Sequence, residues 1–410
     1  MRSYFFLIPF YILVFLGVTL PSDGNHGILS PKTLFFCLSF ASIFSLFIFR
    51  GKVTEKTVKL VASFLGAICF LLVWFYIGSI NEVPYESTFD QFKIFLITLF
   101  VVFFAIYLVQ EKIMTSKTFI KFIIYSNFFY CLTKVLLVIA HLIGIINLFD
   151  TLEKLGFRFM SMAIIKDLGR LQTSVDIITP YLLFFVLNSD ANYLNFSKRF
   201  KVIFQIVAIL SILLSFSRFL LGIAFFCYLL HWFCLNKDRL LKAICLGLFV
   251  AFCAVMAIGP DVVYEVIEQR FFSNANYHSD LTRKDQIDAL METYSLYPYF
   301  GLGLGGFTKN YLRDDVLTHS YEVQWVGFLM QFGFFGIILL CIPIFFLGLR
   351  FFSNGQTRQS WAYFFLYICW ISSGFTNPYL ISLTSGIVYS IFYLIVNVID
   401  NANRQKFIQI

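Results

Sequence analysis

Residues 60–80 read LVASFLGAICFLLVWFYIGSI, an uninterrupted apolar run without a charged side chain. A helix needs roughly 20 mostly apolar residues to cross a hydrocarbon core about 30 Å thick, so this run predicts a membrane-spanning helix. Similar runs recur along the 410-residue chain and predict twelve such helices, near residues 4–20, 33–49, 60–80, 94–109, 122–149, 175–188, 202–216, 219–235, 243–259, 323–349, 361–374 and 380–398. The expected fold class is an all-α integral membrane protein, with residues 1–410 forming one polytopic membrane domain.

The composition excludes other classes of protein. Hydrophobic residues make up 59% of the chain and charged residues only 13%, whereas an average soluble domain carries about 25% charged residues. A disordered chain would need the opposite balance. The nine cysteines lie in or at the ends of the apolar runs and form no CxxC or Cys/His cluster. Disulfides and a structural zinc site are therefore not expected. No cofactor is expected either.

Basic residues are unevenly distributed among the segments that join the runs. If the N-terminus is cytoplasmic, more than half of the 31 lysines and arginines lie in short cytoplasmic segments. Such segments carry an excess of basic residues in membrane proteins, so both termini are predicted to be cytoplasmic. The same bias accounts for the net charge of +8. Because no nucleic-acid-binding motif accompanies that charge, no nucleic-acid partner is expected.

The runs themselves contain little charge. Lys134 is the only basic residue well inside one of them, and we expect its side chain to snorkel towards the cytoplasmic surface. Ion-coupled transporters usually place several carboxylates or histidines at mid-membrane. The scarcity of such residues is evidence against a proton- or sodium-driven carrier.

Two segments on the predicted outer side, residues 150–174 and 260–322, are too long to be simple turns. The longer one is expected to contain amphipathic helices at residues 261–271 and 282–297. In the second helix, Thr282 and Asp285 resemble a capping box. An apolar stripe follows it, formed by Ile287, Leu290, Met291 and Tyr294. Both helices are expected to lie along the membrane surface or to pack on the bundle.

The same outer segment contains YPYFGLGLGGF, residues 297–307, which we call the glycine segment. Glycines free the backbone for close approach to another group. Two interpretations stay open: successive amide groups that bind a phosphate, and tight packing of a re-entrant loop. No GK[ST] sequence follows, which is evidence against a nucleotide-binding P-loop.

Residues 318–336, THSYEVQWVGFLMQFGFFG, lead into the tenth run. His319 and Glu322 are three residues apart and would share one face of a helix. A histidine at this position could act as a general base. The alternative is a structural histidine whose ring is satisfied by neighbouring groups.

Arginine is the second polar feature of the predicted outer side, where Arg158, Arg170, Arg218, Arg270, Arg283 and Arg313 lie. Arg218 ends the tight turn SFSR, residues 215–218, between two runs. A guanidinium at the edge of hydrocarbon is costly without a partner. Its planar fork fits a phosphate or diphosphate through paired hydrogen bonds. For any single arginine, snorkelling towards lipid head groups is the alternative.

In this order, these elements resemble the superfamily of bacterial O-antigen polymerases and O-antigen ligases, which are polytopic inner-membrane glycosyltransferases. In that family a long external loop carries an arginine-headed helix, a proline–glycine turn, and a histidine that opens the next span. The matching residues here are Arg283, Pro298 to Gly303, His319 to Tyr321, Gly333 and Gly336, with Arg170 and the turn ending at Arg218 resembling two further arginine motifs. Ser320 departs from the family pattern, which usually has Asn after the histidine.

The resemblance implies transfer of a glycan from an undecaprenyl-diphosphate carrier to an acceptor sugar at the periplasmic face of the inner membrane. It implies a metal-independent reaction in which arginines bind the diphosphate. The roles it assigns are diphosphate binding by Arg170, Arg218 and Arg283, proton acceptance by His319, orientation of His319 or sugar binding by Glu322, and glycan or backbone contacts by Arg158, Tyr299, Gly301, Gly303 and Tyr321. The expected partners are the lipid-linked oligosaccharide, membrane lipids and a chain-length regulator protein.

Three functions remain open at this point. An O-antigen polymerase extends the lipid-linked glycan, and an O-antigen ligase transfers finished polymer to lipid A-core. Both release the same diphosphate carrier, so the same arginines and histidine would serve either reaction. A flippase for the lipid-linked oligosaccharide would instead need polar residues along a membrane-spanning cavity, and the apolar runs contain few.

Overall fold

The computed structural model describes residues 5–21, 30–50, 54–154, 163–165, 168–169, 171–190, 193–234, 274–313, 317–353, 355 and 357–408. Its helices are α1 (Ile8–Thr19), α2 (Pro31–Arg50), α3 (Glu55–Ile80), α4 (Tyr85–Gln110), α5 (Ser116–Leu142), α6 (Leu148–Lys154), α7 (Ile178–Leu187), α8 (Lys198–Leu214), α9 (Arg218–Cys234), α10 (Asn274–Leu296), α11 (Gln324–Leu349), α12 (Arg358–Ser372) and α13 (Leu383–Ile408). Short 3₁₀ segments cover Ser174–Ile177, Arg350–Phe352 and Ser373–Phe375. A small antiparallel hairpin pairs β1 (Ala163–Ile165) with β2 (Leu168–Gly169), in the outer segment 150–174 where no strand was predicted.

Among the described residues, five helices are long and apolar enough to cross a membrane: α2, α3, α4, α5 and α11. Shorter apolar helices are α1, α9, the segment Ser174–Leu187 that includes α7, and the first part of α13. These elements support the prediction of a helical membrane protein. The ninth predicted run, 243–259, and the amphipathic helix predicted at 261–271 lie outside the described residues. The count of twelve spans and the orientation of the termini stay predictions.

Six of the described helices begin with the same local capping interaction. A serine or threonine hydroxyl accepts a hydrogen bond from the backbone amide three residues later: Ser30 from Thr33, Thr54 from Thr57, Thr115 from Thr118, Ser197 from Phe200, Thr357 from Ser360, and Ser382 from Ser385. Each cap satisfies one of the amides that the first turn of a helix leaves unpaired.

Interlocking aromatic rings pack the centre of the bundle. Phe10 on α1 is fully buried, with its ring 6.0 Å from that of Phe104 on α4 and 5.9 Å from that of Phe119 on α5. Such aromatic pairs stabilise a fold by about 0.5–1.5 kcal/mol beyond the area they bury. This cluster fixes α1 against the two long helices beside it.

The helix that carries Arg283 begins earlier than the sequence predicts. α10 starts at Asn274, so Thr282 and Asp285 both lie inside the helix, and the predicted capping box is wrong. A capping residue needs a non-helical backbone, which the helical residues upstream do not allow. The helix does pack on the bundle, against α11.

The buried face of α10 keeps Leu290 and Tyr294 of the predicted stripe but is shifted towards Gln286. Gln286 and Leu290 are fully buried, whereas Ile287 and Met291 are 37% and 40% exposed. The shift has a polar cause, because Gln286 Oε1 accepts a hydrogen bond of 3.0 Å from the backbone amide of Glu322. An apolar pattern alone could not show that a glutamine lies on the packed face.

Lys134 does not snorkel as predicted. Its ammonium group lies 2.7 Å from Asp176 Oδ1, with 3% of the lysine side chain and 1% of the aspartate side chain exposed. Lys134 also donates to Ser211 O, and Asp176 accepts from the Tyr130 hydroxyl and the Thr173 amide. The prediction was wrong because it treated Lys134 as unpartnered, while Asp176 lies within the sixth apolar run. The pair links α5 to α8 and to the 3₁₀ segment before α7.

Candidate functional site

The glycine segment fills a break in α11. Gly333 has a φ of 63° and a ψ of −174°, which are not helical angles, so two carbonyls and two amides lose their helical partners. Four hydrogen bonds of 2.9–3.0 Å replace them: Leu302 N to Met330 O, Gly303 N to Gln331 O, Phe334 N to Pro298 O, and Phe335 N to Tyr299 O. Unpaired backbone groups are costly in an apolar environment. The break and the glycine segment therefore stabilise each other.

The amides of residues 301–306, the glycine-rich part of the segment, are all occupied. From residue 301 to residue 306 each donates to a protein acceptor: Gly301 to Tyr297 O, Leu302 to Met330 O, Gly303 to Gln331 O, Leu304 to Trp74 O, Gly305 to Gln91 Oε1, and Gly306 to Gly303 O. A phosphate would have to replace these bonds to be bound by the same amides. The interpretation of this segment as a phosphate-binding turn is therefore wrong, and the contacts support the packing interpretation.

Close contacts with neighbouring backbone require glycine at positions 301 and 303. Their φ angles of 75° and 102° lie in the left-handed region that favours glycine. A Cβ atom at Gly303 would collide with the backbone of Gly78 on α3, and one at Gly301 would collide with the backbone of α11. Both residues are buried, so of the glycan or backbone contacts implied for them the structure shows backbone contacts.

Two buried glutamines hold the glycine segment from the side. Gln91 on α4 donates from Nε2 to Gln331 Oε1 on α11 at 2.7 Å, and its own carbonyl accepts from the Gly305 amide. Gln331 Nε2 donates to Gly306 O at 2.8 Å and to His319 O at 3.4 Å. Each glutamine is 1% exposed. This network connects the glycine segment to the backbone of His319.

His319 is a buried residue that lies before α11 begins. Its Nδ1 atom is 3.4 Å from Ser87 Oγ, at the start of α4. The same serine oxygen is 2.7 Å from Gly305 O and 3.1 Å from Thr318 Oγ1. Because α11 starts only at Gln324, the prediction that His319 and Glu322 share a helical face is wrong.

Glu322 forms ion pairs with two arginines. Its Oε2 atom lies 3.1 Å from Arg283 Nε, and its Oε1 atom lies 3.5 Å from Arg313 Nη2. All three side chains are about a quarter exposed, so bulk water screens the attraction only in part. We call these three residues the arginine clamp. The contacts of Glu322 thus connect it to arginines, while the side chain beside the His319 ring is that of Ser87.

The two tyrosines named from the resemblance differ in exposure. Tyr299 is 64% exposed, and its ring stacks on Phe335 at 6.2 Å. Tyr321 is 1% exposed, and its hydroxyl accepts a hydrogen bond of 2.9 Å from the Thr308 amide. Burial raises the pKa of Tyr321 to about 12. Tyr299 therefore offers a surface for a ligand, whereas Tyr321 is a packing residue whose hydroxyl makes a backbone contact, the second of the two kinds of contact implied for it.

Arg218 is the first residue of α9, directly after a tight turn in which Phe216 has a φ of 43°. The Leu171 amide donates to Leu214 O at 3.2 Å, so the chain at residue 171 runs beside this turn. Arg158 and Arg170 lie outside the described residues.

The loop between α12 and α13, residues 376–382, joins the Arg218 turn to the start of α11. The Tyr379 ring stacks on Phe219 at 6.3 Å, and its hydroxyl accepts from Gln172 Nε2 at 3.0 Å. The Leu380 amide donates to Gln324 Oε1 at 2.8 Å. The Arg218 turn and the segment of His319 therefore lie at the same end of the bundle.

Several residues of this site were missed by sequence reasoning. They are Ser87, Gln91, Gln286 and Gln331, together with the pairing of Arg313. A signal was present for two of them, because Ser87 and Gln91 are four residues apart, the spacing of one helix face. It was overlooked because the fourth apolar run was taken to begin at residue 94, whereas α4 begins at Tyr85.

No protein-family model matches the chain, and no curated protein is significantly similar to it. Among the described residues, no group of three or more His, Cys, Asp and Glu side chains is arranged to hold a metal ion. The chemistry of the site therefore has to be argued from the imidazole of His319, the arginine clamp and the Arg218 turn.

Proposed function

We propose that the protein is an O-antigen polymerase of the bacterial inner membrane. It would transfer a glycan from undecaprenyl diphosphate to an acceptor repeat unit at the periplasmic face, from a domain with twelve spans and cytoplasmic termini. The observation that carries the proposal is that His319 and Glu322 lie three residues apart, the first beside Ser87 and the second in the arginine clamp, at the end of the bundle where Arg218 also lies.

The reaction needs a base for the acceptor. The acceptor hydroxyl attacks the anomeric carbon, its proton leaves, and the bond between that carbon and the diphosphate oxygen breaks. An imidazole accepts protons near neutral pH, which suits it to this step. His319 is the base in this proposal, and its Nδ1 atom lies 3.4 Å from Ser87 Oγ.

The reaction also needs positive charge for the leaving group. A diphosphate gains negative charge as the glycosidic bond breaks, and preorganised cations stabilise that charge. The proposal assigns this role to Arg170, Arg218 and Arg283. Glu322 holds Arg283 next to Arg313, so Arg313 joins them as a fourth cation. Guanidinium groups bind phosphate oxygens through paired hydrogen bonds.

A lipopolysaccharide gel tests the proposal. We would compare a deletion strain with the same strain complemented by wild-type protein, by His319→Ala, or by His231→Ala as a control. His231 contacts Asn188 and lies near the opposite end of α9 from Arg218. We expect the deletion strain to show core with one repeat unit, and only wild-type and His231→Ala to restore the ladder at matched membrane levels.

Other outcomes would point elsewhere. Undecorated core with polymer accumulating on its carrier would indicate a ligase. Undecorated core without polymer on the periplasmic side would indicate a flippase. A full ladder in the deletion strain would end the proposal, and a full ladder from His319→Ala would remove that residue from the mechanism.

A further inference from the structure

The Ser87 side chain joins the glycine segment to the ring of His319 through its hydrogen bonds. Its hydroxyl has three neighbours: Gly305 O at 2.7 Å, Thr318 Oγ1 at 3.1 Å and His319 Nδ1 at 3.4 Å. A serine hydroxyl can donate one hydrogen bond and accept two. These three neighbours match that capacity.

The direction of each hydrogen bond follows from the chemistry of the partners. A backbone carbonyl only accepts, so the single hydrogen of Ser87 goes to Gly305 O, which is also its shortest contact. The serine oxygen must then accept from both other partners. Thr318 donates its hydroxyl hydrogen, and His319 donates from Nδ1.

We infer that Ser87 is a positioning residue that holds neutral His319 in the tautomer protonated at Nδ1, leaving the lone pair on Nε2. In a neutral imidazole one nitrogen carries the hydrogen and the other accepts, and the hydrogen bond made by one nitrogen sets the role of the other. Nε2 is then the atom that takes a proton. The use of that lone pair as the base for the acceptor hydroxyl rests on the proposed function, whereas the tautomer itself does not.

The inference gives the glycine segment a second role. Gly305 has a φ of 75°, and a Cβ atom there would collide with the backbone of α4 at Thr88. Only glycine therefore lets the residue 305 carbonyl come within hydrogen-bonding distance of Ser87. The Gly305 amide is held in turn by Gln91, one turn further along α4. The segment thus acts on His319 through a carbonyl group instead of acting on a phosphate through its amides.

Nitrogen NMR on purified protein in lipid bilayers tests the tautomer without any assay of activity. The protein would be labelled with ¹⁵N-histidine, and the signals of His319 would be identified among the five histidines by their loss in His319→Gln. Spectra at pH about 8.5, roughly two units above the usual histidine pKa, report the neutral ring. We expect a protonated Nδ1 and an unprotonated Nε2 in the wild type. The opposite tautomer in the wild type would overturn the inference, even if every variant failed to fold.

Substitutions at Ser87 separate its role from general packing. Ser87→Ala should give a mixture of tautomers, while Ser87→Thr keeps the hydroxyl and should keep the wild-type spectrum. Ser45→Ala is the matched control, because Ser45 is partly exposed and its hydroxyl donates to its own helix, at Ala41 O. An unchanged Nδ1 signal in Ser87→Ala would remove Ser87 from the argument.

The same variants in cells connect the tautomer to the reaction. We expect Ser87→Ala to lower the rate of ladder formation about tenfold, part of the roughly hundredfold or greater contribution of a general base, with Ser87→Thr restoring it. If the spectra agree with the inference but His319→Ala makes a full ladder, His319 is not the base of the proposed reaction. The inferred tautomer is then still supported. If the spectra disagree while His319→Ala is inactive, the inference fails and the proposed function stands.

Discussion

Lys134 Nζ lies 2.7 Å from Asp176 Oδ1, in a pair whose side chains are 3% and 1% exposed. Each charge is costly to bury alone, and their mutual attraction compensates only while both are present. The pair fixes the 3₁₀ segment that begins at Ser174 against α5, close to the chain at Leu171 that runs beside the Arg218 turn. It therefore couples the interior of the bundle to one edge of the candidate site.

Removal of one partner of this pair should be more destabilising than removal of both. We expect Lys134→Met or Asp176→Leu to cost about 3–5 kcal/mol, because each leaves an uncompensated buried charge. The double variant should be closer to wild type. The midpoint of thermal unfolding in detergent measures this.

The control for the ion pair is the same substitution at an exposed pair. Lys59 and Glu55 are 75% and 81% exposed, so Lys59→Met should change stability by less than about 1 kcal/mol. If the loss of stability in the double variant equals the sum of the losses in the two single variants, Lys134 and Asp176 are not coupled.

Substitution of Gly303 should disrupt the junction between the glycine segment and α3. In Gly303→Ala the left-handed backbone alone costs about 1–3 kcal/mol, and the new Cβ atom collides with Gly78. Gly66→Ala, on the same helix α3, meets nothing within 4 Å and should be neutral or stabilising by up to about 1 kcal/mol. Unfolding midpoints and membrane yields measure both. Equal stability of the two variants would contradict the packing role of Gly303.

The sequence alone was sufficient for features that lie close together in the chain. The helical class follows from long apolar runs such as residues 60–80, which the structure shows inside α3. The glycine segment, His319 and Glu322 were identified because they are clustered within residues 297–322. The length of an apolar run and the residues of a local motif can both be recognised in a single amino-acid sequence.

Features that depend on contacts between distant residues were not predictable. Ser87 reaches His319 across 232 positions, and Lys134 reaches Asp176 across 42. In each pair, the sequence around one residue does not show which distant residue it will contact. The prediction that the glycine-segment amides bind a phosphate failed for the same reason, since four of the six acceptors of residues 301–306 lie on α3, α4 and α11. Tertiary partners decided each of these outcomes.

Tyr321 should make stability depend on alkaline pH. An unfolded tyrosine has a pKa of about 10, and burial raises the pKa of Tyr321 to about 12. Between these values the unfolded chain loses the proton while the folded chain keeps it, so stability falls as pH rises through this window. In Tyr321→Phe this contribution is absent, and the Thr308 amide loses its acceptor at a cost of about 1–3 kcal/mol. The stability gap between wild type and variant, measured by thermal unfolding, should therefore narrow from pH about 8 to pH about 12. A constant gap would contradict the assignment.

Arg218→Lys should impair polymerisation although the charge is kept. Lysine supplies a point charge, whereas the guanidinium can form two parallel hydrogen bonds to a diphosphate. Hydrogen bonds to charged groups contribute about 1.5–3 kcal/mol, so the loss of one lowers the rate about tenfold or more. Arg358→Lys is the matched control, because Arg358 begins α12 and so lies at the other end of that helix from the loop at residues 376–382. The measurement is the lipopolysaccharide ladder in complemented cells with matched membrane levels. Lysine keeps the positive charge but cannot form the paired hydrogen bonds. A normal ladder from Arg218→Lys would therefore mean that Arg218 acts through its charge alone.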